Sequence, residues 1–290
     1  MEYRVGTSGW VYPPWRNTFY PQDLPQKKEL FFASRHLSSI EINGSFYSYQ
    51  KPSTYLHWYS ETPEDFVFAV KGPQYITHIR RLKDVEMPLA NFFASGVLHL
   101  REKLGVFLWQ LPPNFVFNPE KEERLETFFR LLPRTFAEAI KFAEKSERFH
   151  DGYPPDLAGM KKQIRHAIEV RHHSFENPEF IKLLRRNNVA LVFAETAGKW
   201  PYMEDVTSDF LYLRLHGDDS FYKKGYQPEQ LRWWAQRLKI WAQGKSPKDS
   251  LTLLPPANSS TRDIFVFFDN DLKIKAPQDA EGLMLLLNKS

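Results

Sequence analysis

The segment Tyr3-Arg4-Val5-Gly6-Thr7-Ser8-Gly9-Trp10 decides between the two folds that the rest of the chain allows. It begins as a short strand, predicted over residues 3–7, and runs directly into a turn that contains two glycines. An open doubly wound sheet often carries a glycine-rich phosphate loop at this place. Gly6 and Gly9 have neither the dinucleotide spacing nor the P-loop spacing. The segment therefore argues against the open sheet and favours a closed barrel.

Downstream of this segment, short β-branched or aromatic runs alternate with longer stretches of helical spacing. Eight strands are predicted, over residues 3–7, 39–43, 66–71, 105–110, 164–171, 189–194, 210–216 and 264–268. The predicted helices begin at a proline, which suits the first helical turn, and cover residues 52–61, 88–103, 119–132, 178–187, 228–243 and 277–287. Strands that alternate with helices pair in parallel through crossover helices. The chain is therefore predicted to be α/β, a (β/α)8 TIM-like barrel that forms a single domain over residues 1–290.

Two segments fit this alternation poorly and are predicted to be loop excursions after the fourth and seventh strand units. Residues 134–163 are a long stretch that contains the turn-forming run Asp151-Gly152-Tyr153-Pro154-Pro155. Residues 244–263 hold Ser, Pro, Lys and Asn between the last two strands. This second excursion either contains a short extra strand at residues 251–254 or is a mobile loop.

Composition excludes several classes of protein. The 290 residues include no cysteine, which excludes disulfides, thiol nucleophiles and thiolate-held metals. The beginning of the chain does not resemble a signal peptide, and no apolar run approaches the length of a membrane span, so we expect a cytoplasmic protein without membrane association. The formal net charge is +4 and the pI is about 9.0. This mild excess permits an anionic ligand but is not typical of a general nucleic-acid binder.

Most predicted strands end in an ionisable or amide side chain. In a barrel, the carboxyl ends of the strands form the face that carries active sites. Side chains alternate along a strand with period two. The residues that share a face in this way are Glu41 with Asn43, Glu169 with Arg171, and Arg214 with Tyr212 and His216. Burying so many charges in a purely structural core would be costly, so we expect them to point into the barrel mouth and to bind a ligand.

Several motifs, in chain order, resemble those of the DUF72 (YecE-like) family of uncharacterised proteins. They are Gly6-Thr7-Ser8-Gly9-Trp10, Glu41-Ile42-Asn43-Gly44-Ser45-Phe46-Tyr47, Phe68-Ala69-Val70-Lys71 with Thr77-His78, Gln110-Leu111-Pro112-Pro113, Glu169-Val170-Arg171-His172, Tyr212-Leu213-Arg214-Leu215-His216-Gly217 and Asn270. The resemblance spans nearly the whole chain. It implies a TIM-like barrel with these motifs around its mouth, and it implies no particular reaction. The sequence departs from the family pattern at Asp269, which adds a negative charge near the predicted site.

The candidate catalytic residues are Glu41, Glu169 and His216. A glutamate deep in a barrel mouth is a natural acid or base, and an imidazole beside the Arg214 cation serves as a base near neutral pH. The structural alternative is that the glutamates only balance Lys71 and the arginines, and that the histidine is packed.

The candidate ligand-binding residues are Arg214, Arg171, Lys71, Asn43, Gln110, Asn270, Trp10, Tyr47, Tyr226 and His78. A guanidinium binds a carboxylate or phosphate through a fork of two hydrogen bonds, amides suit sugar hydroxyls or base edges, and aromatic rings stack on a planar group. The alternative is that these amides and rings satisfy loops or fill the core. Tyr226, on the predicted lid 217–227, either covers the ligand or anchors the loop to the following helix.

No metal and no cofactor is expected. Glu41, Glu169, His216 and Asp269 could form an oxygen-rich site with one histidine, but the chain has no His-x-x-x-His pair. Three cations at the same strand ends would also repel a metal ion.

Three functions remain open. The first is an enzyme, a hydrolase, lyase or isomerase, that acts on a small anionic or sugar-like molecule by acid/base chemistry. The second is a barrel that processes nucleic-acid phosphodiesters, with a layout like that of endonuclease IV, and nucleic acid is the less favoured partner. The third is a ligand-binding protein without catalysis. The sequence does not indicate the oligomeric state.

Overall fold

The structure is a computed structural model that describes residues 1–149, 152–217, 225–256, 261–269 and 274–288. Eight parallel strands follow one another in chain order around a closed barrel, in which β8 pairs with β1. They are β1 (Tyr3–Ser8), β2 (Ser39–Ile42), β3 (Val67–Lys71), β4 (Leu104–Gln110), β5 (Arg165–Glu169), β6 (Ala190–Glu195), β7 (Phe210–Leu215) and β8 (Asp263–Phe268). The predicted (β/α)8 TIM-like barrel is confirmed.

Helices lie between most of the strands. They are α1 (Glu29–His36), α2 (Gly44–Tyr47), α3 (Pro52–Glu61), α4 (Glu86–Ala94), α5 (Pro119–Leu131), α6 (Phe136–Ala143), α7 (Pro155–Ala158), α8 (Pro178–Arg186), α9 (Pro228–Ala242) and α10 (Ala276–Asn288). A single π-helical turn, Tyr75–Ile79, follows β3. The helices α6 and α7 lie within the first predicted excursion, so that segment is partly helical.

The chain divides into two compact units, which are described one at a time. The first unit consists of Met1–Glu41 with Glu176–Ser290, and the second of Ile42–Phe175. In the first unit, β7 pairs with both β6 and β8, and all six residues of β7 are buried. In the second unit, β4 pairs with β3 and β5, and all seven of its residues are buried. Because both faces of these strands are buried, most of their residues are apolar, and the sequences do not alternate strictly between apolar and polar residues.

Side-chain caps explain where several helices begin. The Asn118 side chain accepts the backbone N–H of Lys121 at 2.9 Å and caps α5, and Asn177 caps α8 in the same way. At α6, Thr135 and Glu138 form a reciprocal capping box. Each cap satisfies a backbone donor that has no partner within the helix, typically contributing about 1 kcal/mol.

The predicted helix 88–103 is divided in two. The helix α4 ends at Ala94, Gly96 has a φ of 111°, and residues Val97–Lys103 form a 3-10 segment. A Cβ atom at Gly96 would lie 2.6 Å from Cα of Pro52, so only glycine fits this turn. The helical spacing of the sequence does not reveal such a tertiary restriction, and the predicted single helix was wrong.

Residues 196–209, which connect β6 to β7, contain no helix. Instead, this connection carries two buried carboxylates, which accept backbone hydrogen bonds from the second predicted excursion, residues 244–263. Asp205 accepts the backbone N–H groups of Leu253 and Leu254 at 2.9 and 3.0 Å, and Glu204 accepts that of Leu251 at 3.0 Å. These bonds fix residues 251–254 as an irregular segment, so the extra strand proposed there is not formed.

None of the helices in the described residues combines the length and the apolar character that a membrane crossing requires.

The variant Asp279→Asn tests a buried carboxylate on α10. Asp279 accepts the backbone N–H of Tyr226 at 3.2 Å, and burial raises its pKa to about 7. A carboxyl group whose pKa is higher in the folded than in the unfolded protein stabilises the fold at low pH and loses that contribution as the pH rises through the folded pKa. Relative to the wild type, we expect the variant to gain on the order of 1–4 kcal/mol in urea unfolding between about pH 5 and pH 8.

The exposed Asp249 provides the control for this measurement. A hydrogen bond from Arg237 holds the pKa of the Asp249 carboxyl below its usual range, so Asp249→Asn should produce no such gain at high pH. If the stabilities of the wild type and Asp279→Asn ran in parallel from pH 5 to pH 8, the burial argument would be wrong.

Candidate functional site

The first group of predicted residues surrounds the guanidinium of Arg214 on β7. Arg214 is only 1% exposed, although it carries a permanent charge. Its Nη2 donates to Oε1 of Glu41 at 3.0 Å and to Oγ of Ser8 at 3.1 Å, and it also donates to Asp269. These contacts lie within the first unit and join the ends of β1, β2, β7 and β8. We call Ser8, Glu41, Tyr212, Arg214 and Asp269 the Arg214 group.

Glu41 is the most completely bonded carboxylate of this group. It is fully buried, and it accepts the Ser8 hydroxyl at 2.5 Å and the Tyr212 hydroxyl at 2.6 Å in addition to Arg214. Charge-assisted bonds of this kind offset the cost of removing both ions from water. The arrangement makes Glu41 a residue that positions Arg214. Its predicted role as an acid or base stays a prediction.

His216 lies beside Asp269, immediately after β7. Its Nδ1 atom is 3.8 Å from Oδ2 of Asp269, and its side chain is 15% exposed. The carboxylate that the sequence predicted to lie near the site therefore contacts both Arg214 and His216. Asp269 occupies a position on Arg214 where an anionic ligand would otherwise bind, which weakens the expected role of Arg214 as a ligand clamp.

Tyr226 is tethered at both its hydroxyl and its backbone. The hydroxyl donates to Oε2 of Glu195 at 2.7 Å, and the same oxygen accepts the backbone N–H of Gly217 at 3.0 Å. The Tyr226 backbone N–H donates to Asp279. The contacts are made to β6 and α10, not to the following helix α9 as the anchoring alternative had it, and the cover over a ligand stays a prediction. Most of the predicted lid, residues 218–224, lies outside the described residues.

The second group lies in the second unit and centres on Glu169, at the end of β5. Glu169 is fully buried, and its Oε1 accepts Nε of Arg171 at 2.7 Å and Nε2 of Gln110 at 3.0 Å. The strand β5 ends two residues before the predicted end, so Arg171 lies in the following loop and turns back toward Glu169. Glu169 thus brings Arg171 and Gln110 together, whereas the sequence had associated only Glu169 with Arg171.

Lys71 and His78 complete this second group, which we call the Glu169 group. Lys71 is the last residue of β3, is 9% exposed, and places Nζ 4.2 Å from the centre of the Phe46 ring. His78 lies on the π-helical turn and packs edge-on against the same ring. Burial first, and then the charges of Lys71 and Arg171, lower the pKa of His78 to about 4. His78 is therefore a neutral imidazole at physiological pH, next to two cations.

A groove of about 910 Å³ lies in the second unit, and Phe46 is part of its lining. Its lining includes the exposed side chains of Tyr47 (72%), Tyr75 (45%) and Ile79 (64%). The charged residues of the lining are Lys51, Arg80, Arg148 and Asp84. Such a concentration of exposed rings and cations is typical of a binding surface rather than of an ordinary solvated face.

The other predicted residues belong to neither the Arg214 group nor the Glu169 group. Trp10 is half-buried and its carbonyl oxygen accepts the Tyr20 hydroxyl at 2.7 Å, while Asn43 is half-buried immediately before α2. Asn270 lies outside the described residues. Within the described residues, no set of three or more His, Asp and Glu side chains could hold a metal ion.

Ser8 and Glu195 take part in the contacts described above, but they were not among the candidate residues of the sequence analysis. Ser8 was predicted to lie just beyond β1, where its side chain could not be assigned a face, and Glu195 just beyond β6. Each strand in fact extends one residue further. The sequence signal that could have identified them is a polar residue directly after an apolar strand. The same pattern indicated the other candidate residues.

A family model described as "Protein of unknown function DUF72" matches residues 4–290. The chain belongs to the DUF72 family. The resemblance inferred from the motifs is confirmed over almost the whole length, and the family description assigns no reaction.

Relatives and solved structures agree with this membership. The chain is 24% identical to the UPF0759 protein YecE of Escherichia coli K12 over 249 residues, which is 84% of this chain and 83% of that protein. It is 32% identical to the UPF0759 protein YunF of Bacillus subtilis over 116 residues, covering 38% and 40% of the two chains. A DUF72 crystal structure from Thermotoga maritima matches all of both chains with a TM-score of 0.74 at 22% identity. One from Enterococcus faecalis matches 99% of this chain and 96% of its own with a TM-score of 0.68 at 18% identity. At these identities, the structures establish a shared fold alone.

The variant Arg214→Lys tests the Arg214 group. Lysine keeps the charge but cannot place hydrogen bonds on Glu41, Ser8 and Asp269 from one planar group. We expect the free energy of unfolding to fall by about 1–3 kcal/mol, the range for charged hydrogen bonds, in a denaturant titration.

Arg232→Lys is the matched control, because Arg232 forms an ion pair with Glu229 on the surface of α9 with its side chain 54% exposed. Surface pairs contribute little, so this change should cost well under about 1 kcal/mol. If both substitutions lowered the free energy of unfolding by the same amount, the buried contacts of Arg214 would contribute no more than a surface ion pair, and the prediction would be wrong.

Proposed function

We propose that the protein is an enzyme that binds a small anionic or polyhydroxylated substrate, of the sugar phosphate type, and converts it by acid/base chemistry. The substrate would bind at the Glu169 group, with Lys71 and Arg171 holding the anion. Glu169 and the neutral His78 would serve as acid and base. His216 and Glu41 stay predictions as further catalytic residues.

The observation that carries this proposal is the charge balance of the Glu169 group. Among the described residues, Lys71 and Arg171 are two cations that share this region with one carboxylate, Glu169, and the imidazole of His78 is uncharged. The Arg214 group has the opposite balance, with Glu41 and Asp269 facing one guanidinium. A site with an excess of positive charge attracts phosphate or carboxylate, and a low local dielectric strengthens that attraction.

His78 suits proton transfer because it is neutral and half-buried. Its Nδ1 atom is 2.9 Å from Oγ1 of Thr77, which orients the ring. A bound anion beside Lys71 and Arg171 would oppose the two charges that lower the pKa of His78. Substrate binding would therefore raise that pKa toward neutrality, where a general acid or base is most effective.

The test measures the pKa of His78 by NMR titration with and without inorganic phosphate, followed by ribose 5-phosphate. We expect a pKa of about 4 in the free protein and a clear rise at saturating phosphate. The variant Lys71→Met should raise the pKa of His78 in the free protein, because it removes a neighbouring cation. It should also weaken phosphate binding by about tenfold, which corresponds to about 1.4 kcal/mol.

Lys141→Met is the matched control, since Lys141 is an exposed lysine of the same unit, on α6, and is not among the charges that shift the pKa of His78. It should leave the titration unchanged. For catalysis, conversion of sugar phosphates is followed by phosphorus NMR, and His78→Gln should lower kcat more than it changes KM. A pKa of His78 that does not respond to phosphate would refute the anion site.

The groove beside Phe46 favours a second candidate, a single-stranded nucleic acid. Tyr47 and Tyr75 present exposed ring faces for stacking, and the described residues of the lining include three cations and one carboxylate. Stacking rings along a positively charged groove are typical of proteins that bind single strands without sequence preference. Arg80 is partly neutralised by Asp84 at 3.3 Å, which leaves Lys51 and Arg148 as the principal phosphate contacts.

Fluorescence anisotropy with a labelled oligothymidine tests this second candidate. Tyr47→Ala and Tyr75→Ala should each weaken binding by about 1–3 kcal/mol, the range for one stacked base. Arg148→Gln should reduce the salt dependence by about 0.7 in the slope of log K against log salt. Trp233→Ala, an exposed ring in the first unit, is the control. Binding that does not depend on salt would exclude the nucleic acid.

A further inference from the structure

A second cavity, of about 480 Å³, lies in the first unit against the beginning of α9. Four aromatic side chains line it, from Tyr202, Tyr226, Trp233 and Trp234, together with the carboxylates of Glu195 and Glu229. Its volume is within the range of small-molecule sites. No lysine or arginine is among the described residues that line it, so the described part of its lining is aromatic and acidic.

Glu195 supplies a negative charge that neutral groups alone stabilise. Its oxygens accept the Tyr226 hydroxyl at 2.7 Å and the backbone N–H groups of Gly217 and Ala197 at 3.0 and 3.2 Å. Within the part of the chain that the structure describes, it makes no ion pair. A carboxylate has about four lone-pair positions, and three donors already use most of them. Glu195 therefore offers a charge to a ligand, but little room for another direct hydrogen bond.

The rings of this cavity are held in fixed orientations. Trp233 and Trp234 meet edge to face at 80°, with ring centres 4.9 Å apart. The hydroxyl of Tyr202 donates to Glu204 at 2.7 Å, as that of Tyr226 does to Glu195. Rings that are tethered in this way need little reordering when a ligand binds, which favours affinity.

Trp233 already binds a cation on one face. The guanidinium of Arg237 lies 4.5 Å from the Trp233 ring centre and is almost completely buried, whereas Trp233 is 44% exposed. Glu204 and Asp249 neutralise Arg237, so its charge does not repel a second cation strongly. Glu229, in the first turn of α9, offsets the positive end of that helix.

The geometry points to a binding site for a methylated ammonium group in this cavity, with the rings surrounding the methyl groups and Glu195 supplying the opposite charge. Aromatic rings attract an organic cation through their negative faces, and they do so best for quaternary ammonium groups, whose methyl groups also bury apolar area. A primary ammonium needs acceptors for its N–H groups, which Glu195 largely lacks. This inference concerns a different set of residues from the anion site and does not depend on the proposed function.

Isothermal titration of the full chain with choline, and with its uncharged isostere 3,3-dimethyl-1-butanol, tests the role of charge. Choline should bind at least tenfold more tightly than the isostere, and more tightly than ethanolamine, which has the same length but carries a primary ammonium. Equal binding of choline and the isostere would reduce the cavity to an apolar pocket and overturn the proposal. Tighter binding of ethanolamine, or no binding of choline, would also overturn it.

Trp233→Leu should weaken choline binding at least tenfold, and because the ring is exposed the fold should tolerate the change. Phe31→Leu removes another exposed ring that carries a guanidinium on its face, outside the lining of this cavity, and should leave choline binding unchanged. Glu195→Gln keeps an acceptor for Tyr226 and should abolish the preference for choline over the isostere. If Trp233→Leu bound choline as the wild type does, choline would bind elsewhere and the site would be rejected.

The same chemistry occurs in free small molecules and in methylated lysine side chains. A peptide with one trimethyllysine, compared with its unmethylated form, distinguishes these sources. Choline binding together with a preference for the methylated peptide indicates a protein ligand. Choline binding without that preference indicates a free small molecule. Both results support the proposed site, and they distinguish whether its ligand is a free small molecule or a methylated lysine of a protein.

Discussion

A guanidinium that cannot lose its proton is buried at the end of β7, and the need to balance its charge constrains the first unit. Arg214 is 1% exposed, so its charge must be balanced by protein groups rather than by water. Glu41 on β2 and Asp269 after β8 provide that balance, and Ser8 on β1 adds a further acceptor. The strand ends can meet in only one register if all these bonds are made. A structural requirement thus fixes the position of polar groups that also resemble a catalytic site.

In the Glu169 group, too, a buried carboxylate orients its partners, but the balance of positive and negative charges differs from that of the Arg214 group. Glu169 orients Arg171 and Gln110, as Glu41 orients Arg214. Here, however, Lys71 adds a second cation, and the aromatic face of Phe46 stabilises it. A ring carries no net charge, so this contact does not neutralise the positive charge of the lysine. This contrast in charge balance favours the Glu169 group over Arg214 as the site of an anion.

Period-two alternation allowed much of this arrangement to be predicted from the sequence. It placed Arg214 with Tyr212 on a common face of β7, and it located all eight strands to within a few residues. Glu169 and Arg171 meet for another reason, because Arg171 lies beyond the end of β5 and turns back. It could not identify partners on other strands, because Glu41 and Arg214 are 173 positions apart. It also failed where a backbone turn depends on a distant atom, as at Gly96 against Pro52. Local patterns report which face a side chain occupies, whereas contacts between elements depend on the closed barrel.

Tyr226 shows how the same residue acquires a different role once its contacts are known. Its position after a glycine and near β7 suggested a lid over the predicted site. The hydroxyl is instead held by Glu195, its backbone is held by Asp279, and a Cβ atom at Gly225 would lie 2.8 Å from the Asp279 carboxylate. Because these contacts hold the residue in place, its ring forms a permanent wall of the aromatic cavity. The bond to Glu195 also spreads that negative charge toward the ring, which makes the wall more attractive to a cation.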